Sequence, residues 1–249
     1  MARQKGILKI EGTLGGLTFY KSQDGHLVRE KGGVSADRIA NDPAFVRTRE
    51  NGAEFAAAGS AGKLLRDALR ALTMNAADGR VTSRLTQLMS AVLRMDTTSN
   101  RGQRTPALGL ASSEGKAALT DFNFNINAVL SSVLFKDFSL NETTGVLTVK
   151  DVAPVNDIAF PTGATHLAMT TAFANLDFAS GVNEVKFSPA LNLPIDAVQT
   201  SVVLTPSAVP AGKGTKLYLL KIEFFQLVNG DQYTLNNGAY NALAVIAVA

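Results

Sequence analysis

LYLLKIEFFQLV, residues 217–228, is the stretch that decides the fold. It is a nearly continuous β-forming run with few polar breaks, the pattern of a central strand rather than of a half-exposed one. From Leu119 onward the sequence takes up a period of two. Phe122-Asn-Phe-Asn-Ile alternates strictly. Ser132–Leu140 and Val146–Val152 flank the Gly-containing loop Asn141–Gly145, as in a hairpin. Ala164–Phe178, Asn183–Pro189, Val198–Leu204, Lys216–Val228, Gln232–Leu235 and Tyr240–Ala249 follow as strands. Pro161-Thr-Gly, Ser180-Gly, Pro206–Gly214 and Asn229-Gly-Asp punctuate them. The last strand alternates weakly, which predicts burial on both faces. Strands at this spacing predict an antiparallel β-sandwich over residues 119–249.

Upstream, the periodicity is helical. Ser35 reads as the cap of a short helix, and Asn41-Asp42-Pro43 is a start signal with Asp42 at the N-cap and Pro43 in the first turn. The spacing predicts a helix over Ala44–Ala58 ended by Gly59, a second over Ala61–Thr73 capped by Ser60, and a third capped by Ser83 and running to about Met95. Asp96–Gly109 is polar and aperiodic. Residues 96–118 are therefore expected to be a linker or surface loop.

The first 34 residues differ from both regions. Gly6–Gly33 packs seven glycines around three short apolar runs, Ile7–Ile10, Leu17–Tyr20 and His26–Arg29. Ser22-Gln-Asp-Gly25 is a hairpin turn in which Asp24-Gly25 can take the two left-handed positions. This is a β-arm too small to bury its own apolar faces, so it must pack on the rest of the chain or on another copy. The whole reads as α+β in four parts: 1–34 β-arm or hairpin, 35–95 helical region, 96–118 linker, 119–249 β-sandwich.

Composition narrows the chemistry. The 249 residues include no cysteine, which excludes disulfides, thiolate nucleophiles and zinc–sulfur sites. The net charge of +3 conceals a split. Residues 1–104 carry 17 Lys and Arg against 10 Asp and Glu, including all twelve arginines, whereas residues 105–249 carry 7 against 11. A basic half predicts a nucleic acid or acidic partner, and the acidic half of a second copy is one such partner. After the basic opening MARQKG no apolar stretch of about 7–15 residues follows, so no secretory signal is expected and synthesis in the cytoplasm is. The longest apolar run, Ala242–Ala249, is too short for a membrane span.

No catalytic motif emerges. The two histidines, His26 and His166, lie outside any triad or metal-binding pattern and read as ordinary strand residues. Gly12-Thr-Leu-Gly-Gly-Leu lacks the Gly-Lys-Ser/Thr ending of a phosphate loop and precedes a strand rather than a helix. Arg66, Arg70, Arg80, Arg84, Arg94, Arg101 and Arg104 offer a phosphate-facing surface. Against it stand the interspersed Glu50, Glu54, Asp67, Asp78 and Asp96, and the lack of stacking aromatics between Phe55 and Asp121. Asp151, Asp157, Asp177 and Asp231 fall near strand ends without calcium-loop spacing, which assigns them to turns. No catalytic residue, cofactor-binding residue or metal ligand is assigned, and no cofactor is expected.

GTLGGLTFYKSQDGHLVREKGGVSADRI, DPAFVRTRENGAEF and EFFQLVNGDQYTLNNGAYNALAVIAV resemble segments of uncharacterised proteins recurring in Bacteroidota genomes. The resemblance covers most of the chain, implies a bacterial origin and carries no activity or site residue. The expectation is a non-catalytic structural subunit that self-assembles through its arm into a filament, tube or shell, such as a surface fibre or phage-like particle. The alternative is a binding module whose sandwich recognises carbohydrate, protein or nucleic acid.

Overall fold

Turn chemistry puts four strands into the first 30 residues. The computed structural model describes residues 2–249, apart from the side chains of Asn236 and Asn237, and divides into two compact units, Met1–Arg49 and Glu50–Ala249. In the first unit β1 (Ala2–Arg3), β2 (Gly12–Leu14), β3 (Leu17–Ser22) and β4 (Gly25–Glu30) form an antiparallel sheet of order β1-β4-β3-β2. The β3–β4 turn closes at the Ser22↔Gly25 pair, and the left-handed conformation falls on Gly25 alone (φ 103°). Asp24 stays out of that region because its amide is held by the Ser22 hydroxyl at 3.1 Å. Helix α1 (Ala36–Asn41) is capped by Ser35, and Asp42 caps the 3-10 turn Pro43–Phe45 through Ala44 N, as the start signals predict.

In the second unit the helices differ from expectation. Helix α2 (Val46–Ala68) runs through Gly59 and Ser60 without a break. An interior glycine costs about 1 kcal/mol relative to Ala, less than is gained by keeping the Ala58, Ala61, Gly62 and Leu65 stripe buried. The interruption comes at Leu69, before α3 (Arg70–Thr73). Helix α4 (Val81–Leu93) starts ahead of Ser83. Its opening is held by Asp78, whose Oδ1 accepts from Arg80 N at 2.6 Å, while the Ser83 hydroxyl turns back to Arg80 O.

Residues 96–118 are not a linker. They fold into α5 (Pro106–Gly109) and α6 (Ser113–Leu119), and Leu110 and Leu119 are buried in the core. The backbones touch: a Cβ on Gly109 would lie 2.1 Å from Val92 O, and one on Gly115 2.0 Å from Gly109 O. The polarity that suggested a surface loop serves a buried carboxylate. Asp96 is 3% exposed and accepts from Thr98 N, Thr98 Oγ1, Ser99 N and Thr105 N at 2.8–3.2 Å. Burial pushes its carboxyl pKa up, but the hydrogen bonds from Ser99 and Thr98 outweigh that and hold it far below the usual carboxylate range.

The remaining chain forms α7 (Leu130–Val133), β5 (Phe138–Leu140), β6 (Leu147–Val152), α8 (Pro154–Asp157), β7 (His166–Leu176), β8 (Asn183–Phe187), β9 (Leu191–Pro194), β10 (Thr200–Leu204), β11 (Thr215–Val228), β12 (Asp231–Thr234) and β13 (Ala242–Val248). Central β11 pairs with β7 in an uninterrupted ladder from Thr215↔Leu176 to Phe225↔His166, with β13 and β12 along its other edge. With β8 and β9 these make a six-stranded sheet, while β10-β6-β5 make a second one. Both sheets are antiparallel.

The larger sheet is the middle layer of three. Leu217, Leu219, Leu243 and Val245 face the helices with Leu65, Leu85, Leu110 and Leu119. Leu220, Ile222, Phe224, Ala242 and Ala244 face Leu147, Val149, Val202 and Leu204 of the smaller sheet. Burial of β13 on both faces follows from that position, as its weak alternation predicts. Two expected strands are absent as such. Phe122–Ile126 makes a single bridge, Asn123↔Ala244, and runs beside β13 through Asp121 N→Val245 O, Val245 N→Phe122 O and Phe124 N→Leu243 O. Ser132–Leu140 breaks into part of α7, a bridge at Leu134↔Ile158, and β5. Strand β9, which ends on Pro194, falls between the expected strands Asn183–Pro189 and Val198–Leu204.

Candidate functional site

The N-terminal sheet displays its apolar side chains. Register places Leu14, Leu17, Phe19 and Val28 on one face and Thr18, Tyr20, Leu27 and Arg29 on the other. None of the described residues from 2 to 49 is buried. Residues 5–11 form a loop pinned at its base by Gln4, whose Oε1 accepts from Ile10 N at 2.9 Å and whose Nε2 donates to Ile10 O at 3.1 Å. At the tip Ile7 is 102% exposed and Leu8 84%. His26 Nδ1 lies 3.7 Å from Glu11 Oε1, beyond hydrogen-bond reach. Gly12–Leu17 is the β2–β3 hairpin and leads into a strand.

The arginines of the helices separate by role. Arg84 donates to Asn123 O (2.7 Å) and Phe124 O (3.0 Å), pairs with Asp78, and lies 5.0 Å over the Phe122 ring. It clamps the edge segment and is structural. Arg66 ties α2 to α4 through Thr82 Oγ1 at 2.8 Å. Arg104 grips Glu54 with two bonds of 2.8 and 3.0 Å, which holds the Glu54 carboxyl below its usual range. Arg101 reaches Asn51 Oδ1 at 2.9 Å and lies 3.4 Å from Glu50 Oε2. Arg101, Arg104, Glu54 and Asn51, with Arg94, Ser90 and Phe55, line a cleft of about 520 Å³. Its three arginines outnumber its one lining glutamate, Glu54, and Arg70 and Arg80 lie outside it.

Of the acidic residues at strand ends, Asp177 and Asp157 bond backbone amides of their own turns, and Asp157 also lies 3.7 Å from Lys136 Nζ. Asp177 accepts from Ala179 N, Ser180 N and Ser180 Oγ. Asp157 accepts from Ala153 N. Asp151 takes φ 51° within β6, where the register with β10 shifts between the Val149↔Val202 and Val152↔Thr200 pairs. His166 Nδ1 is 3.0 Å from Thr165 Oγ1. Among the described residues no three His, Asp or Glu side chains gather as metal ligands, and no helix is long and apolar enough to cross a membrane.

One surface was not legible in the sequence. The smaller sheet ends at β5, and the partnering of β13 by residues 121–124 stops at Val245. Beyond that point Ile246 is bulged out between the Tyr218↔Ala247 and Leu219↔Val245 pairs. Ile246, Ala244, Phe138, Leu134, Leu130 and Val129 line a groove of about 490 Å³, with Asp121 its only charged lining residue. They come from two segments more than 100 positions apart in the chain, 121–138 and 244–246, so no local pattern announces the groove.

Comparison of the chain with family models, curated proteins and solved structures gives no match.

Proposed function

We propose that the chain is a non-catalytic structural subunit that self-assembles, in a bacterial setting, into a filament, tube or shell through its N-terminal sheet. The observation that carries this reading is a four-stranded sheet in which no described residue is buried while Ile7, Leu8, Ile10, Leu14 and Leu17 are exposed. A sheet gains its stability by covering an apolar face, and exposed sheet edges recruit further strands. An apolar surface of this kind marks a contact site. The charge split supports the same reading, because the basic N-terminal region and the acidic sandwich of another copy attract each other.

Negative-stain microscopy and light scattering of the full-length protein test the proposal. Long regular polymers or closed shells that shrink with added salt are expected, because contacts between exposed charges are screened beyond a Debye length of about 8 Å at physiological ionic strength. Dispersed monomers at all protein concentrations would overturn it. The cleft lined by Arg94, Arg101 and Arg104 favours a second reading, a binding module for an anionic partner. Monomers that shift the mobility of DNA or RNA at physiological salt would favour its nucleic-acid form.

A further inference from the structure

We infer that the Ile7-Leu8 tip of one subunit plugs into the groove between β5 and β13 of the next copy. This rests on the self-assembly reading and names its two contact surfaces. The tip is a loop held at its base by Gln4, and it presents two adjacent, strongly exposed aliphatic side chains. Such a pair is an anchor without a pocket. The groove is the reverse: a cleft lined by Leu130, Leu134, Phe138 and the bulged Ile246, with Asp121, Asn123 and Ser131 as its polar residues. Bulges at a sheet edge re-aim side chains in this way. The backbone on both sides is also open, since β5 has no strand beyond it and the partnering of β13 ends at Val245. An entering extended segment therefore meets unpaired N–H and C=O groups as well as apolar side chains.

Charge selects a second copy as the occupant. Lys5 and Lys9 flank the tip, Asp121 is the charged residue of the groove, and Asp137 adjoins Phe138. The wider regions agree: residues 2–49 hold 9 Lys and Arg against 5 Asp and Glu, whereas residues 105–249 hold 7 against 11. Tip and groove are different surfaces, so the contact is heterologous. It propagates into an open polymer or a ring according to the rotation between subunits.

The absence of native cysteine makes the test direct. Full-length Ile7→Cys protein is mixed with tagged Ser131→Cys protein, whose cysteine sits in the groove wall, or with tagged Val209→Cys protein, exposed outside the groove. After mild oxidation, the heterodimer with Ser131→Cys is expected to form at least about tenfold faster, because docking raises the local thiol concentration. In parallel, Leu8→Asp is expected to raise the protein concentration needed for light scattering by at least about tenfold, with circular dichroism unchanged. Polymers that form normally in Leu8→Asp, or equal cross-linking at positions 131 and 209 while polymers are present, would overturn the tip-in-groove contact and leave self-assembly standing. Absence of any polymer from the unsubstituted protein would remove both.

Discussion

The two units of the chain are both β-rich, yet only one has an interior. In Glu50–Ala249 the central strand β11 has apolar residues buried on both faces, against helices on one side and a second sheet on the other. In Met1–Arg49 the sheet is as regular in its pairing, but none of its described residues is buried. Strand propensity and turn chemistry suffice to draw a sheet. Burial, worth about 25 cal/mol per Å² of apolar surface, makes a fold stand alone. Burial accounts for the stability of the second unit, and the exposed apolar residues of the first are what the proposed assembly contact rests on.

The largest effects are expected where β11 is buried on both sides. Phe224 is 1% exposed, whereas Phe225, pointing the opposite way, is only partly buried. Phe224→Ala is expected to cost about 3–5 kcal/mol and Phe225→Ala clearly less, read as midpoints of chemical denaturation. Equal and small losses would remove β11 from the centre of the core.

The same strand carries a charge pair on its helix-facing side, with the lysine buried and the glutamate half-buried. Lys221, 4% exposed, lies 2.9 Å from Glu223 Oε1. Glu223→Ala strands the ammonium and is expected to cost about 3 kcal/mol, and the Lys221→Met/Glu223→Leu double change to recover most of that. A double variant no better than the single one would mean that the pair stabilises more than its apolar replacement does.

A smaller loss is expected at Asp96→Asn, about 2 kcal/mol at neutral pH, because the amide replaces a carboxylate oxygen in a buried set of donors. The folded carboxyl is held below its unfolded value. Its contribution is therefore fully present above the ordinary Asp pKa of about 4 and is lost as pH falls from there towards the folded value. The gap between the parent protein and Asp96→Asn should narrow on acidification in denaturation curves. A gap constant from neutral to strongly acidic pH would show that the carboxyl is not held in its ionised form.

The smallest effect on stability belongs to the first unit. Leu8→Ser and Leu17→Ser alter exposed residues and are expected to change the unfolding free energy of the second unit by no more than about 0.5 kcal/mol while weakening assembly. A loss as large as that of Phe224→Ala would end the contrast between the units.

Local chemistry was legible in the residues themselves. Ser35 and Asp42-Pro43 start helices as their cap chemistry requires. Asn141–Gly145 closes the β5–β6 hairpin, and the unbroken run at 217–228 becomes the central strand. Each of these depends on neighbours within a few positions. What the tertiary structure alone decided depends on partners far along the chain. Gly59 continues a helix because the stripe around it is buried. The polar 96–118 stretch joins the core because Asp96 organises it and Gly109 and Gly115 let backbones meet. Arg104 is engaged by Glu54, fifty residues away. The helices cover the outer face of the larger sheet, and the groove at its edge exists only because β5, β13 and residues 121–130 converge. Caps, turns and alternation are short-range and survive in the sequence as pattern, whereas burial and charge partnership are set by which distant surfaces meet.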